Sequence, residues 1–108
     1  MHYPIILIRK KLHVRGIALY PFIIFREKSF QHDSTIMNHE LIHHRQQTEL
    51  LIVPFYFFYL INYLLNRIKY RSHNAAYRNI VFEREAYNNQ SNPEYLARRK
   101  LWAFLKFM

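Results

Sequence analysis

Two histidines four residues apart, with a glutamate directly after the first, stand in the chain as His39-Glu40-Leu41-Ile42-His43. On a helix of about 3.6 residues per turn, His39 lies above His43 on one face, so both imidazoles can hold the same metal ion. Glu40 falls beside that face. A carboxylate there can take a proton from a water on the ion, because zinc in a catalytic site lowers the pKa of its water to about 7. The chemistry this residue set supports is metal-assisted hydrolysis, with zinc as the expected cofactor.

A helix must present these residues, and the sequence supplies one. Asp33 or Ser34 can cap its first turn, since either side-chain oxygen accepts from the free amides there. The helix is expected to run from about Thr35 through the motif and to merge into the apolar run Leu50 to Leu65. Asn62 is the only strongly polar residue of that run, and Pro54 should kink or restart it. A second helix, over about Ala75 to Asn89 and capped by Ser72 or Asn74, bears on the metal. With Glu83 as the reference and about 100° of turn per residue, Ala76, Asn79, Ile80, Ala86 and Tyr87 share its side. Glu85 faces the other way, with Arg78 and Val81.

Glu83 therefore points into a mostly small and apolar face. A lone buried carboxylate is costly unless a cation meets it, which makes Glu83 the expected third metal ligand; the alternative is an ion pair with a nearby arginine. Tyr87, one turn beyond Glu83, is either a catalytic group whose hydroxyl stabilises an oxyanion or a core tyrosine. Asn79, one turn before Glu83, is a further supporting candidate. His44 is rotated about 100° from the ligand face and is not read as a ligand. Arg45 is read as a lipid or ion-pair contact.

The flanks are less regular. Ile5 to Leu12 and Ile17 to Phe25 are rich in branched and aromatic residues, punctuated by Gly16 and Pro21, and read as a short β hairpin or as an apolar arm on the membrane or the helices. If residues 17–25 form an exposed strand near the site, substrate could add to its edge. After Asn92-Pro93-Glu94 a last helix is expected to about Phe107, with Leu101, Trp102, Phe104 and Leu105 on one side and Arg98, Arg99 and Lys100 on the other. The expected fold is mainly α (α+β): an N-terminal hairpin, then about four helices in one domain spanning residues 1–108.

Composition narrows the partners. The chain of 108 residues has no cysteine, which excludes disulfides, thiolate ligands and a cysteine nucleophile. A formal charge of +9 calls for an anionic neighbour, and nine Phe, nine Tyr and one Trp suit the water–lipid interface, so an anionic membrane surface is the first partner. Leu50 to Leu65 falls short of the roughly 20 residues of a full span, and Arg67, Lys69 and Arg71 follow at once. It reads as a tilted or re-entrant membrane segment or as a buried core helix. The apolar run Ile5 to Ile8 is cut by Arg9-Lys10-Lys11, too short for a secretory signal, so a membrane-associated protein on the cytoplasmic side is expected. A basic nucleic-acid binder is the competing class, with no fold signature to support it.

The pair His39-Glu40-x-x-His43 and Glu83-x-x-Ala86 resembles the gluzincin zinc metallopeptidases, particularly their membrane-linked families. The longer strings Asn38-His39-Glu40-x-x-His43 and Phe82-Glu83-Arg84-Glu85-Ala86-Tyr87 resemble those of short Bacteroidetes proteins. The resemblance implies zinc held by His39, His43 and Glu83, Glu40 as the base, and a peptide or protein substrate. Where the larger gluzincins carry an aspartate after the alanine, this chain has Tyr87, so the carboxylate that would orient a ligand histidine is missing. A zinc-binding or membrane-surface protein without turnover is the other outcome consistent with the same residues.

Overall fold

The computed structural model describes residues 4–108, and the fold is mainly α with a small sheet. Three strands, β1 (Ile5–Ile8), β2 (Gly16–Leu19) and β3 (Phe22–Phe25), lie in the order β1-β3-β2. The expected hairpin is corrected in its partners. The stretch 17–25 is not one strand but breaks at Tyr20-Pro21, so β2 and β3 form the antiparallel hairpin and β1 joins β3 in parallel. Proline lacks the amide a ladder needs, which is why the chain turns there. Ala18, Ile23 and Phe25 are buried and pack with Ile6, Ile36, Met37 and Leu41, which seats the sheet against the helix that follows.

After a single turn, α1 (Lys28–Gln31), Asp33 caps α2 (Ser34–Leu50) by accepting from the amides of Thr35 and Ile36 at 2.9 and 3.1 Å. Helix α2 runs between the sheet and a later helix, and its buried residues are Asn38, His39, Glu40, Ile42, His43, His44, Gln46 and Gln47. Only Ile42 among them is apolar. Buried polar side chains are paired as a rule, so hydrogen bonds hold this helix beside the apolar packing of Ile36, Met37 and Leu41 on the sheet.

Helix α2 does not merge into the apolar run. Leu51, with φ of 68°, ends it, and α3 (Ile52–Lys69) leaves at a bend of 111°. Pro54 falls in the first turn of α3, where a missing amide leaves no bond unmade, so it restarts the helix without kinking it. Phe55 of α3 joins Ile80, Phe82 and Phe104 in the second core cluster. The polar residues of α3 tie it to the elements behind: Asn62 Oδ1 accepts from the Val81 amide (2.8 Å), and Asn66 Nδ2 donates to the Ala76 carbonyl (3.0 Å). The opposite face, including Val53, Phe57, Leu60, Leu64, Leu65 and Ile68, is exposed. No single helix among the described residues is long and apolar enough to cross a membrane.

The expected helix Ala75 to Asn89 is two: α4 (His73–Arg78), capped by Ser72, and α5 (Val81–Asn89). They part at Asn79 and Ile80, where Asn62 supplies the outside acceptor that starts α5. The last helix is also corrected. Only Tyr95–Arg98 (α6) and a 3-10 turn at Ala103–Phe107 are helical, with Trp102 in the left-handed region between them. Arg99 lies on no exposed basic face: its side chain is buried between Glu49 and Glu85.

Candidate metal centre

Helix α2 brings His39 and His43 to one face, and α5 crosses it with Glu83. The three ligand atoms form a near-equilateral triangle: His39 Nε2 to His43 Nε2, and each of these to Glu83 Oε1, at 3.1 Å. All three residues are buried, and together they form a group that could hold a metal ion. In a tetrahedral zinc site with bonds of about 2.0–2.1 Å, neighbouring ligand atoms stand about 3.3 Å apart, so the triangle is within a few tenths of an ångström of that spacing.

Each imidazole offers Nε2 to the centre because Nδ1 is occupied from behind. His39 Nδ1 donates to Gln90 Oε1 (2.7 Å) and His43 Nδ1 to Gln46 Oε1 (2.8 Å). Two amide oxygens thus take the orienting place left open by Tyr87. Glu83 is held on its other oxygen by the Tyr59 hydroxyl, which donates to Oε2 at 2.6 Å. Asn38, just before the motif, donates through Nδ2 to the carbonyls of Asn89, Gln90 and Asn92 at 2.8 to 3.2 Å, which clamps the end of α5 to α2.

The electrostatics follow from burial and proximity. Burial raises the Glu83 carboxyl, but the charges and hydrogen bonds of His43 and His39 outweigh it and hold the group well below the usual carboxylate range. Burial lowers His43, yet the charge and hydrogen bond of Glu83 lift it to about 9 in the metal-free protein. Glu40 is raised, chiefly by burial. Burial, aided by the charge of Glu83, also pushes the Tyr59 and Tyr77 phenols up, so both stay protonated as donors.

Glu40 lies where two cavities meet. An inner one of about 180 Å³ is walled by His39, Glu40, His43, Glu83, Tyr59 and Tyr77. An outer groove of about 820 Å³ runs from His39 and Glu40 past Arg15, Arg26 and Tyr87. Gly16, at the start of β2, borders both. A Cβ on Gly16 would stand 3.0 Å from the Phe25 ring, a tight approach, and 3.4 Å from Glu40 Cγ, an ordinary contact, so glycine is what makes room for the Phe25 ring against the strand beside the glutamate. Strand β2 is an edge. The Arg26 amide donates to the Arg15 carbonyl, and by the antiparallel alternation the amide and carbonyl of Gly16 face away from β3. Farther along, Gln47 and Tyr56 already bond the outward Ala18 carbonyl, and Gln47 the Tyr20 amide.

His39, His43 and Glu83 are therefore brought together, with Glu40 beside them. Tyr87 packs its ring on His39 (4.5 Å between centroids), lies under Arg78 and donates its hydroxyl to Tyr77 at 3.4 Å. It lines the outer groove, while Tyr77 lines the inner cavity as well. Asn79 serves the helix break, donating to the Ala75 carbonyl and accepting from Arg84. His44 turns away from the centre and packs on Tyr20 (4.7 Å), where burial lowers its pKa. Glu85, expected to face away with Arg78, is instead buried against Arg99, because α5 has α2 on one side and the returning C-terminal segment on the other. Gln46 was visible in the sequence as the residue one turn after His43; Gln90, Tyr59 and Tyr77 come from other elements and left no local signal.

No protein-family model, curated protein or solved structure matches the chain.

Proposed function

We propose that the chain is a zinc-dependent metallopeptidase working at a membrane surface. The observation that carries this reading is the convergence of His39 Nε2, His43 Nε2 and Glu83 Oε1 at 3.1 Å beside Glu40. Two imidazoles with one carboxylate form a donor set known for catalytic zinc. Bound there, zinc supplies a Lewis acid and an acidified water.

The residues of the chain do the rest. Glu40 takes the proton of the attacking water and returns it to the leaving amine, and burial moves its carboxyl toward the working pH, as a general base requires. Tyr59 fixes the Glu83 carboxylate. Tyr77, a protonated phenol on the cavity wall, is placed to donate to a developing oxyanion. The outward amide and carbonyl of Gly16 give an extended peptide a strand to pair with next to Glu40. The exposed apolar face of α3 and the +9 charge support an anionic lipid surface as the working location.

The small inner cavity favours a second reading, a zinc-binding protein without turnover. Zinc-loaded wild-type and Glu40→Gln protein, given an unfolded protein substrate, separate the two. Cleavage by the wild type, lost in a variant that keeps its zinc, is expected for the peptidase. Equal cleavage by both proteins contradicts the role of Glu40, and cleavage by neither leaves the zinc-binding protein.

A further inference from the structure

Gln46 follows His43 by one turn of α2 and is wholly buried, and its two ends meet different chemistry. Oε1 lies 2.8 Å from His43 Nδ1, while Nε2 donates to Glu85 Oε1 at 2.9 Å and to the Phe82 carbonyl at 3.1 Å. Glu85 is itself wholly buried, and it accepts from Arg99 on both oxygens and from the Tyr95 hydroxyl at 2.6 Å. Arg99 continues to Glu49, donating from Nη1 at 2.6 Å and from Nη2 at 3.0 Å.

The direction of every bond in this chain is dictated from its far end. Arginine can only donate, so Glu85 is held as an acceptor. A carboxylate and a peptide carbonyl can only accept, so the amino end of Gln46 must face Glu85 and Phe82. Its oxygen must then face His43. An amide oxygen can only accept in turn, so His43 Nδ1 carries the hydrogen, and Nε2 is left to present its lone pair to the metal centre.

We propose that the buried Glu49–Arg99–Glu85 ion group, acting through Gln46, sets the tautomer of His43, which makes Arg99 and Glu85 positioning residues for a metal centre that neither touches. The inference rests on the zinc site described above. It also explains the path of the C-terminal segment, since the chain after Pro93 returns to α2 and α5 and so delivers Arg99. Two buried glutamates would be satisfied by a cation in many places, but one contacting Glu85 holds it as the acceptor that, with the Phe82 carbonyl, orients Gln46.

Replacing Glu85 by glutamine removes one of the two acceptors on Gln46 Nε2 with little change of shape. A glutamine at 85 that still accepts from Arg99 Nε turns its amino group toward the amino end of Gln46, so Gln46 keeps only the Phe82 carbonyl on that side and its hold on the hydrogen of His43 Nδ1 is loosened. The test measures zinc affinity of the full chain by competition with a chromophoric chelator, for wild type, Glu85→Gln, Gln46→Leu and the double variant. Folding of each is checked by circular dichroism. Each single variant should weaken binding about 10- to 100-fold, the range found for residues that orient a metal ligand. The double variant should bind no worse than the weaker single one, because both remove the same link. Wild-type affinity in Glu85→Gln, or losses that multiply in the double variant, would overturn the proposal. Should Glu85→Gln fail to fold, nitrogen-15 spectra of the zinc-loaded wild type decide: Nε2 coordination with a protonated Nδ1 at His43 is expected, and coordination through Nδ1 overturns it. A folded wild type that takes up no zinc removes the metal centre and the proposal together, whereas a wild type that binds while the variants bind equally well removes the proposal alone.

Discussion

The two histidines of the candidate metal centre receive the same contact, an amide oxygen on Nδ1, from two different neighbourhoods. His43 is backed by Gln46, inside a fully buried group made by α2, α5 and the C-terminal segment. His39 is backed by Gln90, a half-buried residue just past the end of α5, and its ring is covered by Tyr87 on the wall of the outer groove. Both border the inner cavity, but only His39 also lines the outer groove. The contrast lies in the backing group, since Gln46 is wholly buried in the core and Gln90 is half-buried at the rim.

Glu83 belongs to both sides, so its loss should have the largest effect. In Glu83→Ala the two imidazoles lose their shared anion, and zinc affinity should fall by more than the roughly 10- to 100-fold cost of an orienting residue. Isothermal titration reads this directly, and near-normal affinity would mean that the ligand set is wrong.

Stability should divide along the same line. Arg99→Met strands Glu49 and Glu85 without a cation, and breaking a buried ion group costs about 3–5 kcal/mol. Gln90→Leu removes one half-buried hydrogen bond, worth about 0.5–1.5 kcal/mol. Urea unfolding should rank them in that order, and equal losses would erase the distinction between core and rim.

The pH dependence sharpens the comparison further. In the metal-free protein His43 is raised from 6.5 to about 9, against the opposing effect of burial. A raised histidine contributes stability fully below pH 6.5 and loses it as the pH climbs through about 9. The contribution of Glu83 runs the other way: it is present above pH 4.5 and is lost only in strong acid. The metal-free protein should therefore lose stability between pH 6.5 and about 9, a loss that zinc-loaded protein, with His43 already deprotonated, should escape. The rise in Tm on adding zinc should grow across that window, and a rise that shrinks there would contradict the pairing of His43 with Glu83.

The smallest effect concerns the outer face of α3. Replacing Phe57 and Leu64, both exposed, by serine should weaken sedimentation with anionic vesicles while leaving zinc affinity and unfolding unchanged. Unchanged vesicle binding would remove the membrane from the proposed function.

How much of this was legible in the sequence depends on the range of the contact. The spacing of His39 and His43 is a property of one helix, as are the caps Asp33 and Ser72, and these were readable. Glu83 was readable because burying a carboxylate on an apolar face needs a reason. The parting of α4 from α5 and the burial of Arg99 were not readable, since each is set by a partner far along the chain: Asn62 reaches Val81, and Glu49 and Glu85 reach Arg99. Arg98, Arg99 and Lys100 look alike in sequence, and only the tertiary fold sends the middle one inward.

X-ray absorption at the zinc edge, on folded full-length protein supplied with zinc at neutral pH and then dialysed, tests the metal centre most directly. The expected result is one zinc per chain with two imidazole nitrogens and carboxylate or water oxygens at about 2.0–2.2 Å. A folded protein that retains no zinc, or a zinc shell without two histidines, would contradict it.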